Sequence, residues 1–322
     1  MGIDWIKLVD VVRKASALID TSETAQPIKL YLRYRAPENR IIAMPAFVGG
    51  DFDRAGIKWI ASFPGNISKG KQRASSMTIL NDASDGRIIA LMNTALISGI
   101  RTAAVTGLII DEYLKYKPKR PMTLGIIGFG PIGKLHLSMC RRLDRLNMKE
   151  VLIYDHRQLT DDELKGIDVN VRVVSSWQEV YNNADIFITC TVSGTAYIDL
   201  PPPPGSLQNN VSLRDYRPGI KRFINTLIVD DWEEVCRENT DVENMHLEMV
   251  LQKSDTISIR DVVVDKALKN IKVNDVIMFN PMGMAIYDIA VASYYYDLAL
   301  ERNRGILVED DNNQSVDLTK IR

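Results

Sequence analysis

The sequence predicts an α/β protein in two parts. One is a doubly wound parallel sheet, and the other is an α+β substrate and dimerisation part built on an antiparallel half-barrel sheet. Three observations lead there. Residues 28–92 read as successive strands with no helix between them. From Met122 the rhythm changes to alternating strands and helices. At that change stands LGIIGFGPIGKLH, beginning at residue 124, where a tight apolar run meets Gly128, Gly130 and Gly133 and a helix starts at once.

Taken in order, residues 1–20 carry an amphipathic helix pattern with Asp4, Lys7, Asp10 and Arg13 spread through it, unlike the apolar core of a signal peptide. Position 6 is Ile, so Gly2 does not open a myristoylation pattern. IKLYLRYR alternates, with Ile28, Leu30 and Leu32 on one face and Lys29, Tyr31 and Arg33 on the other. RIIAMPAFVGG and AGIKWIASF follow as strands, separated by Gly and Asp. SMTILNDASDGRIIALMN reads as a hairpin turning over Asn81 to Gly86. A helix runs from about Thr94 to about Tyr116 and is ended by KPKRP. Then come strand TLGIIG, a helix from Pro131, strands VLIYD and VRVVS, helix WQEVYNNA, and strands DIFITCT and RFINTLIVDD. PPPPG at 201–205 is a stiff connector, NPMGMAIYDIAVASYYYDLALERN a closing helix, and residues 310–322 a polar, loose end.

Composition narrows the function. A chain of 322 residues with 46% hydrophobic content can bury a sizeable core. Its 40 basic residues nearly balance 41 acidic ones, which gives no global field for nucleic acid or an anionic membrane. No apolar run is long enough to span a bilayer. Cys140, Cys190 and Cys236 are too scattered for a disulfide framework and read as reduced cytoplasmic thiols. His136, His156 and His246 lack metal-ligand spacing, so no metal is expected.

The glycine spacing carries the first chemistry. In GxGxxG between a strand and a helix, Gly128 permits the tight turn, Gly130 lets a pyrophosphate approach the backbone, and Gly133 lets the helix pack on the strand. The free N–H groups of the helix start, around Pro131 and Ile132, hold the anion. VLIYD ends in Asp155, 22 residues past Gly133, where an acid binds the adenosine ribose and repels a 2′-phosphate. The expected cofactor is therefore NAD, although His156 and Arg157 follow that acid. Thr189, Cys190 and Thr191, at the end of another strand, should border the same crevice. Cys190 has no base paired with it in sequence and reads as a packing residue rather than a nucleophile.

The front half is cationic. Residues 26–75 hold nine Lys or Arg against Glu38, Asp51 and Asp53. Most of these cations read as a solvated sheet face. Lys58 lies within an apolar strand on the face opposite Ile57 and Trp59, and Arg101 in the nearly uncharged helix ALISGIRTAAVTGLII. Buried, each needs an anion, and a substrate carboxylate or a structural partner would serve equally. Arg40 opens another apolar strand.

RIIAMP, GIKWI, ILND, IRTAA, GFGPIG and NPMGMAIYDIA, in that order over nearly the whole chain, resemble the ornithine cyclodeaminase/mu-crystallin family. The resemblance implies a cytoplasmic homodimer in which residues 1–107 and 290–322 form the substrate-binding and dimerisation domain around an inserted NAD-binding Rossmann domain, 108–289. It implies that Arg40, Lys58 and Arg101 bind substrate carboxylate, with Lys58 also steadying charge at the reacting centre. Asp215 in NNVSLRDYRPG matches the family's catalytic aspartate; taken alone it reads as a loop acid. Thr102 would touch the cofactor and Gly283 would lie near the nicotinamide. Relatives carry a strand and turn ahead of the region matching GIDWIKLVDVV, so this edge of the substrate domain is expected to be shorter here.

QPIKLYLR, TCTVSGTAYI, IVDDWEEVCRE and FNPMGMAIYDI are most similar to the branch that oxidises N-(2-amino-2-carboxyethyl)-L-glutamate to L-2,3-diaminopropionate and 2-oxoglutarate for siderophore assembly. The excess of cations favours that tricarboxylate over ornithine. Ornithine cyclodeaminase, alanine dehydrogenase and ketimine reductase chemistry stand as alternatives. So does a ligand carrier without turnover, against which Lys58, Arg101 and Asp215 together speak.

Overall fold

A computed structural model of the chain describes residues 2–36 and 38–306. Its strands are β1 (Thr24–Ala25), β2 (Leu30–Arg33), β3 (Arg40–Val48), β4 (Arg54–Ser62), β5 (Ala74–Asp82), β6 (Ile88–Asn93), β7 (Met122–Ile127), β8 (Met148–Tyr154), β9 (Val171–Val173), β10 (Ile186–Thr189), β11 (Leu207–Asn210), β12 (Thr226–Val229), β13 (Thr256–Ser258) and β14 (Ile277–Asn280). Its helices are α1 (Trp5–Ala17), α2 (Ala95–Leu114), α3 (Pro131–Cys140), α4 (Asp161–Leu164), α5 (Trp177–Asn183), α6 (Trp232–Val235), α7 (Asp241–Met249), α8 (Ile259–Val263) and α9 (Ala285–Glu301). The polar end at 310–322 lies outside the described residues.

Two sheets result, one antiparallel and one parallel, as the alternation of elements predicts. β1, β3, β4, β5 and β6 pair in sequence order, and β2 pairs with the start of β3. The second sheet has eight strands in the order β13-β12-β14-β11-β10-β7-β8-β9. All its pairings are parallel. Chain order reverses between β7 and β10, so the crevice for a ligand opens at the carboxyl ends of those two strands. β7 is buried along its whole length, as a central parallel strand covered on both faces must be.

α2 is the wall between the two sheets. Fourteen of its 20 residues are buried, and it packs on α1, α3 and α9. A helix apolar nearly all round belongs inside the molecule. Gly99 lets it approach Ile132 and Leu135 at the start of α3, and Gly107 lets it approach Met139 and Val9. The expected domain boundaries at 107 and 289 fall inside α2 and α9, which run on unbroken.

Two sequence expectations change. Leu30 is 69% exposed, whereas Lys29, read as part of a solvated face, is 6% exposed. The face shared by Leu30, Ala43, Trp59 and Met77 across the register is not covered by this chain's helices. α9 covers the other face instead, with Ile289 against Gly56. Strand β11 has no apolar signature: it is LQNN, yet every residue is buried. Its amides are largely paired internally, although Asn209 Oδ1 has no partner among the described residues. Tyr216 donates to Gln208 Oε1 at 3.0 Å, and Asn210 Nδ2 donates to Asp241 at 2.9 Å and to Asn280 at 2.8 Å. Polar groups so paired can occupy a core strand.

Candidate active site

The dinucleotide loop joins β7 to α3. Gly128 has φ +84°, and a Cβ there would lie 2.6 Å from the Cys190 carbonyl oxygen. A Cβ on Gly133 would collide with the Gly128 carbonyl. Around Gly130 there is open space, so that glycine faces outward from the protein and not into it. Pro131 and Ile132 open α3. Asp155 braces the loop: its Oδ2 accepts from the Phe129 N–H at 2.7 Å. Arg157, which could have welcomed a 2′-phosphate, donates both terminal nitrogens to Glu163 at 2.9 Å. Lys134 also reaches Glu163, and Arg157 first, then Lys134, hold that carboxyl far below its ordinary range. The open cradle at a helix start, with an acid at the next strand end, fits the diphosphate and ribose of a dinucleotide.

Thr189 and Thr191 turn their hydroxyls toward Asp215. Thr191 donates to Asp215 Oδ1 at 2.5 Å, and Ser212, which contacts Asp215 Oδ2, lies 2.7 Å from the Thr189 hydroxyl. Asp215 is fully buried. Burial pushes its carboxyl up, against the pull of these hydroxyls and that of Tyr197. Asp241 holds the loop in place by accepting from the backbone N–H groups of Asp215 and Tyr216, both at 3.1 Å.

Cys190 does have a histidine beside it, which the sequence did not show. Its Sγ lies 3.7 Å from His136 Nδ1. That ring donates from Nδ1 to the Ile132 carbonyl at 2.8 Å and accepts at Nε2 from Thr106 at 3.0 Å. Burial lowers the imidazole to about 4 and pushes the Cys190 thiol up. A neutral thiol beside a neutral imidazole is packing, not an activated nucleophile.

The second constellation is the buried cation pair. Lys58 is 2% exposed, and its Nζ lies 2.7 Å from Asp288 Oδ2 and 3.5 Å from Ser98 Oγ. Arg101 Nε donates to Asp288 Oδ1 at 2.8 Å. Asp288, 3% exposed in the first turn of α9, thus bridges both cations. Burial drives the Lys58 ammonium down to about 7, with Asp288 opposing that fall. Burial also pushes the Asp288 carboxyl up, but Arg101 and Lys58 together hold it below its ordinary value.

Gly283, with φ +84°, lies directly against the Arg101 guanidinium, where a Cβ would stand 2.5 Å from Nη1. Asp230 fixes this turn by accepting from the Met282 and Gly283 N–H groups at 3.0 and 2.7 Å. Thr102 follows Arg101 and donates to the Ser98 carbonyl at 2.9 Å. Since Gly99 rests on Ile132, the start of α2 joins this cation pair to the dinucleotide loop.

Arg40 is not part of that pair. It lies on the same sheet face as Lys58, but Lys58 pairs with Met44 and Arg40 with Ser62. Four residues of strand separate the two, about 13 Å. Arg40 instead lies 3.8 Å from Glu238 and over the Tyr31 ring.

Among the described residues no group of three or more His, Cys, Asp or Glu could hold a metal ion, and no helix is long and apolar enough to cross a membrane.

The profile of the ornithine cyclodeaminase/mu-crystallin family matches residues 4–201. The chain belongs to this family. It is 34% identical over 314 residues to the N-((2S)-2-amino-2-carboxyethyl)-L-glutamate dehydrogenase of Staphylococcus aureus, covering 92% of this chain and 91% of that one. The fold also matches solved family structures. The Thermococcus litoralis Δ1-pyrroline-2-carboxylate reductase in complex with NADH and L-proline superposes with a TM-score of 0.86 at 22% identity, covering 95% of this chain and 96% of that chain. An archaeal alanine dehydrogenase dimer with bound NAD gives 0.81 at 24% identity, covering 95% of each. Asp288, Ser98 and Asp230, which build the site here, receive no role from the sequence alone, although Asp288 lies in NPMGMAIYDIA and Asp230 in IVDDWEEVCRE.

Proposed function

We propose that the chain is an NAD-dependent oxidoreductase acting on the CH–NH group of an amino acid, and that its substrate is N-(2-amino-2-carboxyethyl)-L-glutamate. The observation that carries the reaction class is the pair of buried cations, Lys58 and Arg101, joined through α2 to the dinucleotide loop. The likeness to the staphylococcal dehydrogenase and the cations around Arg40 support the tricarboxylic substrate. Gly128, Gly130, Pro131, Ile132 and Gly133 hold the diphosphate, and Asp155 holds the ribose. Thr102, Cys190 and Gly283 line the approach to the nicotinamide. Thr189 and Thr191 act from the same crevice through Asp215.

NAD held by the loop of residues 128–133 and by Asp155 would supply the hydride acceptor for the glutamate α carbon. Lys58 and Arg101 fix the adjacent carboxylate, exchanging part of their hold on Asp288 for the substrate, and so align that carbon. Loss of the hydride, with release of the amine N–H proton to solvent, leaves an imine. Asp215 takes a proton from the water that adds to it and passes a proton to the departing amine. The carbinolamine C–N bond breaks, giving 2-oxoglutarate and L-2,3-diaminopropionate, a precursor suited to siderophore assembly. A carboxyl raised by burial is suited to carrying that proton near neutrality.

NADH absorbance should rise when the purified protein and NAD meet this substrate, and not with L-ornithine or L-alanine. Turnover of ornithine alone would replace the assignment. Asp155→Ala should raise the KM for NAD about 10- to 100-fold, as expected for lost hydrogen bonds to a charged group, and that for NADP much less. Equal losses would remove Asp155 from the ribose site.

The working unit is a cytoplasmic homodimer. The exposed sheet face with Leu30, Trp59 and Met77 is the apolar patch a second copy would cover, as the archaeal neighbour's dimer encourages. In this reading the antiparallel sheet belongs to the substrate and dimerisation part and the parallel sheet to the NAD part. Its free cysteines suit a reducing compartment. A monomer in sedimentation at micromolar concentration would exclude the dimer.

A further inference from the structure

The second cationic cluster, around Tyr31, carries more positive charge than the protein neutralises. Arg33 and Arg40 share one acid, Glu238, and both guanidiniums stand over the Tyr31 ring, at 5.0 and 5.6 Å from its centroid. Arg214 reaches the same residue from the parallel-sheet side, donating to the Glu238 carbonyl at 2.8 Å. Arg73 lies just before Ala74, which is opposite Ser62, which in turn is opposite Arg40, so the three strands bring Arg73 and Arg40 to one end of the sheet. Among the described residues, neither Arg73 nor Arg214 has a carboxylate partner. Partial burial first, and then Arg40, pull both guanidiniums below their ordinary value. Guanidiniums drawn together around the single carboxylate of Glu238 are under-neutralised, and a further anion repairs that.

Two features say which anion. Arg214 directly precedes Asp215, so one loop carries both a guanidinium and the proposed acid–base group. Arg40 lies on the Lys58 face, about 13 Å further along the sheet, within joint reach of two long side chains and an extended substrate. We infer that Arg214 and Arg73, together with Arg40, hold a carboxylate of the substrate remote from the reacting carbon. The family's amino-acid chemistry needs one carboxylate at Lys58 and Arg101; this cluster selects substrates that carry another. The planar fork of arginine suits a carboxylate and cannot be replaced by a point charge without loss.

This inference rests on the tricarboxylate reading, and its test separates the two. Arg214→Gln and Arg73→Gln should each raise the KM for N-(2-amino-2-carboxyethyl)-L-glutamate at least tenfold with kcat changed less than threefold. Arg73→Gln sits at the exposed rim and guards against misfolding of the Asp215 loop. Binding to the NADH complex, measured by calorimetry, gives the second readout. Weaker 2-oxoglutarate in the variants, with pyruvate unchanged, places the distal carboxylate of the glutamate half at the cluster. Weaker diaminopropionate places the other carboxylate there, and either result supports the site. Wild-type turnover of the tricarboxylate with unchanged KM and unchanged product binding in both variants overturns the inference alone. Absence of wild-type turnover overturns the proposed substrate, and the 2-oxoglutarate-to-pyruvate comparison then still decides the cluster.

Discussion

Asp215→Asn should lower kcat by about 10²- to 10⁴-fold while NAD binds as before. The amide fills the same space and can still accept from Thr191, so the loop keeps its shape. What it lacks is a proton to take and return. In the proposed reaction both halves of the hydrolytic stage depend on that proton: water would lose one to attack the imine, and the diaminopropionate nitrogen would gain one to leave. Hydride transfer does not require it, so a single-turnover burst of NADH should survive while steady-state release of 2-oxoglutarate falls. A variant with an unchanged steady state would remove Asp215 from the mechanism. Asp241 is the informative control. It grips the same loop through backbone N–H groups, and burial has raised its carboxyl to about 6, but its side-chain donor is Asn210, whereas Thr191 donates to Asp215.

Asp288→Asn should destabilise the protein by about 3–5 kcal/mol, read as a fall in the denaturant midpoint near neutral pH. The substitution is isosteric, so packing is spared. Lys58 and Arg101 are left buried with no acid between them. The sign of the pH effect follows. In the wild type Lys58 loses its charge as pH rises through about 7, so kcat/KM should fall along that alkaline limb. Asp288 is what raises the ammonium against burial. Without it the limb should move to lower pH, and the stability loss should shrink as pH rises because Lys58 is then neutral. 2-Oxoglutarate with NADH should restore the variant more than it stabilises the wild type, since a substrate carboxylate can take the missing acid's place. An unmoved limb would show that Lys58 does not govern binding.

How much of this was legible in the sequence depends on which physical constraint each residue obeys. Gly128 and Gly133 announce themselves because nothing larger than hydrogen fits between the loop and its neighbours, and a steric rule leaves a spacing. Lys58 stands out as a charge on the opposite face of an apolar strand from Ile57 and Trp59, which needs a buried partner if the strand is central, and the structure buries it while leaving Trp59 exposed. Asp288 obeys no such rule. In AIYDIA it reads as any acid in a helix's first turn, and only the meeting of α9 with β4 and α2 reveals that it joins two cations. Lys29 failed for the opposite reason. Its strand alternates cleanly, but the periodicity does not say which face the protein itself covers, and here the apolar side is left open. LQNN failed because its core strand is held by amide hydrogen bonds and has almost no apolar side chains to betray it.

The clasp of Arg157 by Glu163 bears on how coenzyme preference could drift. Replacing Asp155 with a small neutral residue would lift the repulsion of a 2′-phosphate, but Arg157 would still be spoken for by Glu163, with Lys134 on the same acid. Freeing that guanidinium needs a second change at Glu163, which by itself gives nothing while Asp155 stands. The two steps are therefore epistatic, and a lineage of this enzyme would meet a flat stretch before any benefit in using the phosphorylated coenzyme.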